Sequence, residues 1–401
     1  MMETDKNFLK QTQIKYKVIS IFLVLCEIIV ETFFILFSHS KIEQKDKQTQ
    51  KKSSNKKGQV YKNLNFFWII HYWHLSSDTK IIIKNWIRIL DVKLGWINDF
   101  DKLVVKYAKH FRELKVLKGH TRLVRSVKIS ADGRKIVSAS DDKTVRLWDI
   151  ASVKQIQVFQ GHFESVYGAE FLPNQYIIVS CSEDKTIRTW DIESGKELMK
   201  ITGHANPVWG VSISPDGKSI VSSASDKTIT LWDIGSGKEI INLAGHSDGV
   251  QSVQFSPDGQ FIVSSSNDYT VGIWDIKTGK RLKELIGHCN IVMQARFSPD
   301  CQFVVSCSFD RTICIWNVET GKKLKVLEGH SNCVNDVKYF PGGQTIVSCS
   351  NDKTVRLWDV KSGQEIQRLE GHSDGILGID VSRDADTIVS CSFDQTIRVW
   401  G

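Results

Sequence analysis

GHANPVWGVSISPDGKSIVSSASDKTITLWDIGSGKEIINLA (residues 203–244) decides the fold, because it contains four short runs in which apolar and polar residues alternate. VWGVSIS, KSIVSSAS, TITLWDI and EIINLA are separated by SPDG, by Asp226 with Lys227, and by GSGK, all of which are turn-forming sequences. Alternation with a period of two is typical of β-strands. The stretch therefore predicts four short strands joined by tight turns.

The same pattern recurs seven times at a constant period of 42 residues. Each unit contains a Gly-His dipeptide, a Ser, an Asp six residues before a Trp, and that Trp. The recurring residues are His120, Ser138, Asp142, Trp148; His162, Ser180, Asp184, Trp190; His204, Ser222, Asp226, Trp232; His246, Ser264, Asp268, Trp274; His288, Ser306, Asp310, Trp316; His330, Ser348, Asp352, Trp358; and His372, Ser390, Asp394, Trp400. Four-stranded units at this period predict an all-β propeller, in which the blades pack radially around a channel.

Residues 112–401 resemble the WD-repeat β-propeller family, whose units carry Gly-His and Trp-Asp dipeptides. Two units depart from the pattern, since Asn317 and Gly401 stand where the Asp after Trp is expected. The resemblance implies a seven-bladed propeller of four-stranded antiparallel blades. It also implies that the sequence unit is offset from the blade, so that each Gly-His follows the outermost strand of the preceding blade.

This offset predicts how the ring closes. The final strand, 396–400, needs a neighbour on its outer side. RELKVLK (112–118) precedes the first Gly-His and matches the other outermost strands, although no blade comes before it. We expect 112–118 to pair with 396–400, because closure removes strand edges that would otherwise template aggregation.

Every unit contains a Ser, a His and an Asp, which are the residue types of a hydrolase triad. Seven copies at one period favour a packing device over a nucleophile, and the resemblance implies a buried hydrogen-bonded chain from Trp through Ser and His to Asp. The sequence contains no phosphate-binding loop of the G-x-x-x-x-G-K-[ST] kind, no H-E-x-x-H, and no Cys/His cluster at zinc spacing. We therefore expect no enzymatic activity, no cofactor and no metal.

The resemblance places three outward positions per blade on the face where partners dock. The interaction face predicted from them comprises Arg125, Tyr167, Glu183, Trp209, Gln251, Ile291, Met293, Phe309, Asn335, Leu377 and Phe393. Exposed aromatic and Met residues are common anchors of protein interfaces, so Trp209 and Phe309 are the strongest candidates. The alternative is that some of these side chains pack between blades.

Charge limits the class of partner. Residues 112–401 hold 34 Lys and Arg against 35 Asp and Glu, a net charge of −1, whereas residues 1–111 hold 19 against 10. A near-neutral propeller lacks the basic footprint of direct nucleic-acid binding. We expect protein partners, no direct nucleic-acid contact and no small-molecule substrate.

The first 111 residues divide into a tail (1–17), a candidate transmembrane helix (18–37), a Lys-rich linker (38–63) and an aromatic-rich, partly helical segment (64–111). VISIFLVLCEIIVETFFILF (18–37) has the length of a membrane span, although Glu27 and Glu31 oppose insertion. From Trp86 onward, apolar residues recur at helical spacing as far as Phe111. This helix either packs on the propeller or binds another chain.

The Lys-rich stretch Lys41–Lys57 predicts the orientation of the span. Positive charge favours the cytosolic side, so the propeller would face the cytosol and the lysines would contact anionic lipid. Four cysteines in SCS contexts, Cys181, Cys307, Cys349 and Cys391, favour reduced thiols and the same compartment. Two alternatives stay open: 18–37 is a buried helix, or residues 1–80 are absent from the mature protein, which is then soluble in the cytoplasm or nucleus.

These observations predict a non-enzymatic protein-interaction scaffold, membrane-tethered, with the propeller facing the cytosol. Two alternatives are a substrate receptor of a ubiquitin ligase and a regulatory or sensor propeller that works with a signalling NTPase on another chain.

Overall fold

The computed structural model describes residues 110–173 and 176–401, in which all 28 assigned elements are β-strands. The closing strand is β1 (Glu113–Lys118). Blades 1 to 3 contain β2 (Val124–Ile129), β3 (Lys135–Ser140), β4 (Thr144–Asp149), β5 (Lys154–Gln160); β6 (Val166–Phe171), β7 (Ile177–Ser182), β8 (Thr186–Asp191), β9 (Glu197–Thr202); β10 (Val208–Ile213), β11 (Ser219–Ala224), β12 (Thr228–Asp233) and β13 (Glu239–Ala244).

Blades 4 to 7 continue the pattern. They contain β14 (Val250–Phe255), β15 (Phe261–Ser266), β16 (Thr270–Asp275), β17 (Arg281–Ile286); β18 (Val292–Phe297), β19 (Phe303–Ser308), β20 (Ile313–Asn317), β21 (Lys323–Leu327); β22 (Val334–Tyr339), β23 (Thr345–Ser350), β24 (Thr354–Asp359), β25 (Glu365–Glu370); and β26 (Ile376–Val381), β27 (Ile388–Ser392) and β28 (Thr396–Trp400).

These strands form seven four-stranded antiparallel sheets in the described part of the chain, which confirms the predicted all-β, seven-bladed propeller. The first strand of each blade lies beside the first strands of both neighbouring blades, and β26 lies beside β2, so the seven first strands form a closed inner ring. A β-bulge interrupts the pairing of first and second strands at the same place in every blade, as between Val208 and Gly210. Bulges of this kind increase the local twist of a sheet.

Blade 7 is built from both ends of the propeller sequence. Its strand order is β1-β28-β27-β26, with Leu117 opposite Ile397 and Lys118 opposite Thr396. Two further backbone hydrogen bonds join Arg112 and Gly401, at 3.2 and 3.1 Å. The last strand of the chain is therefore covered along its outer edge.

The hydrophobic core lies between the blades. One cluster combines Val145 and Phe159 of blade 1 with Val166 and Trp190 of blade 2, and the other clusters repeat this arrangement around the ring. Each blade thus completes its core only against a neighbour, as expected for stacked repeats.

The chain enters β1 through a specific contact with blade 6. Phe111 is buried, and its ring lies against Phe340 at a centroid distance of 6.0 Å. The side-chain amide of Gln367 accepts from the Phe111 N–H (3.1 Å) and donates to the Phe111 carbonyl (2.7 Å). His110 and Phe111, the end of the segment with helical spacing, have no helical structure.

The predicted tail (1–17), transmembrane helix (18–37), Lys-rich linker (38–63) and the rest of the helical segment (64–109) lie outside the described residues. Within 110–173 and 176–401, no helix is long and apolar enough to cross a membrane.

Candidate functional site

The recurring Trp, Ser, His and Asp residues meet in every blade as a buried tetrad. The Trp Nε1–H donates to the Ser Oγ at 2.7–2.9 Å. The Ser Oγ lies 2.7–2.8 Å from the His Nε2. The His Nδ1 lies 2.7–3.0 Å from the Asp Oδ2. This series of hydrogen bonds connects the loop before the first strand to the turn between the second and third strands.

The tetrad geometry leaves no nucleophile. A neutral imidazole donates a hydrogen bond from Nδ1–H to the carboxylate and accepts one at Nε2 from the serine hydroxyl. The serine oxygen in turn accepts a hydrogen bond from the indole N–H. Every tetrad Ser has an exposed fraction of 0%. A substrate carbonyl has no route to such an oxygen, so the tetrad satisfies buried polar groups that would each cost about 1–3 kcal/mol if unpaired.

The first strands enclose a central cavity of about 340 Å³, which residues from all seven of them line. Five large side chains reach it at the end where the first strands begin, and we call them the apolar rim: Tyr167, Trp209, Met293, Phe309 and Leu377. Each is half-buried. They come from blades 2, 3, 5 and 7, so the rim surrounds the opening.

Three of the predicted polar residues of this face are already hydrogen-bonded within the propeller. Arg125 makes two hydrogen bonds to Asp141, at 2.7 and 2.9 Å, and its guanidinium lies 4.8 Å from the centroid of the Tyr167 ring. Gln251 donates to Asn267 at 2.7 Å. Asn335 is buried and donates to Asn351 and to the Ile376 carbonyl, both at 2.7 Å. Blades 1, 4 and 6 therefore contribute polar pairs between the apolar rim residues.

Three predicted face residues do not line the cavity: Glu183, Ile291 and Phe393. All three are half-buried. Packing between neighbouring elements explains part of this burial on the face: a Cβ on Gly375 would come within 3.1 Å of the Phe393 ring, and one on Gly249 within 2.6 Å of the Trp209 ring. Trp209 therefore packs on the backbone of blade 4 as well as reaching the cavity.

The WD domain, G-beta repeat model matches seven segments, which together span more than half of the chain: residues 111–149, 153–191, 195–233, 237–275, 279–317, 321–359 and 363–401. The chain belongs to the WD-repeat family. Each matched segment contains one complete Ser-Asp-Trp series with its second and third strands, so the family's pattern and the observed tetrads coincide.

Curated relatives of this WD-repeat protein match over a short stretch. The ribosome biogenesis protein BOP1 homolog of Drosophila grimshawi is 60% identical over 37 residues, which is 9% of this chain and 5% of that protein. The homolog of Drosophila melanogaster is 55% identical over 40 residues, 10% of this chain and 5% of its own length. The chain thus matches about one-twentieth of these relatives, a stretch about as long as one repeat.

Ionisation of the WD-repeat tetrads follows from their contacts. Burial raises the pKa of the Asp carboxyl groups, but hydrogen bonds from the His and Thr side chains outweigh it and hold each pKa below its usual range. Burial lowers the pKa of His120, His162 and His330, although the paired Asp opposes this. The tetrads of blades 1, 2 and 6 therefore combine a neutral imidazole with an ionised carboxylate.

Stability should consequently fall on acidification. Below the ordinary His pKa of 6.5, the unfolded chain binds protons that folded His120, His162 and His330 do not, and below 3.8 the same holds for the tetrad carboxylates. We expect the free energy of unfolding by urea to change little between about pH 7.5 and pH 8, to decline below pH 6.5, and to decline more steeply below pH 4. A higher stability at pH 5 than at pH 7.5 would contradict these ionisation states.

A cation lies beside the tetrad in six blades. In blades 1, 2 and 6 an Arg on the third strand lies 3.1–3.5 Å from the tetrad Asp and 2.5–2.7 Å from a Gln or Glu on the fourth strand. Arg398 pairs with Glu113 in blade 7. In blades 4 and 5, Arg281 and Lys323 reach over the Trp ring from the fourth strand, at 5.5 and 5.9 Å. Blade 3 has Thr230 and Glu239 at these positions.

Thr230→Arg should therefore stabilise blade 3. Asp226, Thr228 and Glu239 occupy the positions of the partners that Arg188 has in blade 2. We expect a gain of about 1 kcal/mol in the free energy of unfolding, measured in urea. Gly272→Arg is the matched control, because its Cβ would lie 2.6 Å from the Trp274 Nε1, and it should destabilise. Equal losses of stability in both variants would contradict the stabilising role of an Arg beside the tetrad.

Sequence reasoning missed the Phe111 contact with Gln367 and the pairing of Arg125, Gln251 and Asn335. The repeat contained a signal for the first: counting back 42 residues from Val153, or 84 from Gly195, reaches Phe111. Those two residues lie in turns between third and fourth strands. Phe111 therefore takes the place that a turn residue has in other blades, which excludes a helix there.

Proposed function

We propose that this protein is a non-enzymatic scaffold that binds protein partners at the apolar rim of its propeller. The observation that carries the proposal is the convergence of Tyr167, Trp209, Met293, Phe309 and Leu377 on one cavity opening. Two of the rim residues are a Tyr and a Trp, and these residue types are enriched among those that dominate binding energy at protein interfaces.

The distribution of polar groups supports a protein partner. Arg125, Gln251 and Asn335 already make hydrogen bonds within the propeller, so the predicted face residues of the cavity that are left to gain from contact are the apolar ones. The near balance of charge over residues 112–401 favours a protein over a nucleic acid as the direct partner.

Paired variants test the rim. The double variant Trp209→Ala/Phe309→Ala removes two anchors, and Leu198→Ala/Leu324→Ala removes two outer-strand side chains that are 55% and 50% exposed. We expect quantitative affinity purification from the native cell to show partners reduced at least tenfold by the rim variant and unchanged by the control. Equal partner sets, in rim variants whose thermal unfolding matches the parent, would overturn the proposal.

The membrane tether is a second, separable part of the proposal. It rests on the length and apolarity of residues 18–37 and on the seven lysines between Lys41 and Lys57, which favour a propeller facing the cytosol. We expect the full chain to stay in the membrane pellet after carbonate extraction, with peptides from 41–63 present. A soluble protein that begins near residue 80 would exclude the tether and leave a free cytoplasmic or nuclear platform.

The purified partners also separate the alternatives. Ligase subunits would favour a ubiquitin-ligase substrate receptor, and a nucleotide-binding protein would favour a regulatory propeller working with an NTPase. A role in ribosome biogenesis, which the names of the relatives suggest, has the support of about 40 residues of similarity. That stretch is no longer than one repeat, so we do not transfer the role to this chain.

A further inference from the structure

The inner ring carries charged side chains on only part of its circumference. Nine residues after each Gly of Gly-His, the seven first strands read Lys128, Glu170, Ser212, Gln254, Arg296, Lys338 and Asp380. The charged members belong to blades 5, 6, 7, 1 and 2, and blades 3 and 4 have neutral residues. The charged series is thus centred on blade 7, the blade whose fourth strand is β1.

Asp380 lies in blade 7 and contacts both neighbouring blades, 6 and 1, at the seam where the two ends of the propeller sequence meet. Its side chain is buried on β26 of blade 7, and one oxygen accepts from the Ile129 N–H of blade 1 at 2.8 Å. The other oxygen pairs with the ammonium group of Lys338 in blade 6. Burial raises the pKa of this carboxyl, but Lys338 and Lys128 outweigh it and hold the pKa below its usual range. An ionised carboxylate therefore contacts both neighbouring blades.

Asp336 repeats the arrangement one blade earlier. Its oxygens accept from Arg296 of blade 5 at 3.0 and 3.3 Å and from the Ile379 N–H of blade 7 at 3.1 Å. Both Asp336 and Arg296 are buried. On the other side of the seam, Lys128 of blade 1 lies 3.1 Å from Glu170 of blade 2. Contacts between inner strands thus run without a break from blade 5 to blade 2.

We propose that these paired groups form an axial clasp, comprising Arg296, Asp336, Lys338 and Asp380, that holds the ring closed independently of β1. The other fastening of the ring is the pairing of β1 with β28 at the outer edge. The clasp joins the first strands, which β1 does not contact as a pairing partner. It follows that β1 can detach from blade 7 while the inner ring stays closed.

Hydrogen exchange measured by mass spectrometry on the full chain tests the clasp. Leu117→Ala weakens the outer fastening, because Leu117 is a buried residue of β1. Lys338→Met/Asp380→Asn weakens the clasp without leaving an unpaired charge, and Asn retains an acceptor for the Ile129 N–H. We expect Leu117→Ala alone to speed exchange in β1 and β28 only. The triple variant, which combines Leu117→Ala with Lys338→Met and Asp380→Asn, should also speed exchange in β2 and β26 at least tenfold.

Ser212→Ala combined with Leu117→Ala is the control, since Ser212 occupies the same buried position in blade 3. It should leave exchange in β2 and β26 as in Leu117→Ala alone. The proposal is overturned if Leu117→Ala by itself exposes β2 and β26 as much as the triple variant does, or if the triple variant leaves them protected. Leu117→Val replaces Leu117→Ala if the triple variant does not fold.

Discussion

Asp226→Ala is expected to lower the free energy of unfolding by about 3 kcal/mol, because it strands several donors at once. The carboxylate accepts from His204 at 3.0 Å, from the Thr228 hydroxyl at 2.6 Å, and from the backbone N–H groups of Ala205 and Thr228 at 3.0 and 3.1 Å. His204 is buried, so after loss of the carboxylate its Nδ1–H would keep only the longer contact to the Thr228 hydroxyl, at 3.3 Å. Urea unfolding measures the loss, and hydrogen exchange should place it in blade 3.

Asp216→Ala is the control in the same blade. Asp216 is exposed and accepts from Ser214 and from the Lys218 N–H in a turn, so its loss should cost about 0.5–1 kcal/mol. If Asp226→Ala and Asp216→Ala lowered the free energy of unfolding equally, the tetrad would stabilise its blade no more than an ordinary surface turn does.

Leu117→Asp is expected to have the largest effect of any single change in the closing strand. Leu117 is 1% exposed and packs with Trp148, Ile397 and Val399 where blade 7 meets blade 1. A carboxylate at this position would be buried without a partner, and we expect a loss of at least about 4 kcal/mol. Thermal and urea unfolding should show it.

Leu114→Asp makes the same change on the opposite face of β1. Leu114 is 49% exposed, so its substitution should change the free energy of unfolding by less than about 0.5 kcal/mol. Similar losses for Leu117→Asp and Leu114→Asp would mean that β1 does not seal the core between blades 7 and 1.

The repeat made the fold predictable, because its four strands and its period are local properties of the sequence. Turn sequences such as SPDG and alternating runs such as KSIVSSAS locate strands without knowledge of distant residues. The tetrads were also predictable from the sequence, since a His, a Ser, an Asp and a Trp at constant offsets imply a shared environment. Repetition supplied the evidence that a single unit lacks.

The parts that break the repeat were less predictable. The pairing of Gln367 with Phe111 spans 256 residues, and that of Arg296 with Asp336 spans 40 and joins two blades. No local pattern identifies such partners, because any of several polar residues at equivalent positions could pair. The same holds for Arg125: the sequence placed it on the predicted interaction face, and the structure pairs it with Asp141.

Site-specific photocrosslinking in the native cell tests the central claim most directly. A photoreactive phenylalanine analogue replaces Phe309 at the apolar rim, and in a second protein it replaces Leu198 on the outer strand of blade 2. The account predicts discrete crosslinked partners from position 309 that are absent from position 198 and disappear when Trp209→Ala is added. Partners captured from position 198 and none from position 309 would contradict the claim that the rim is the binding site.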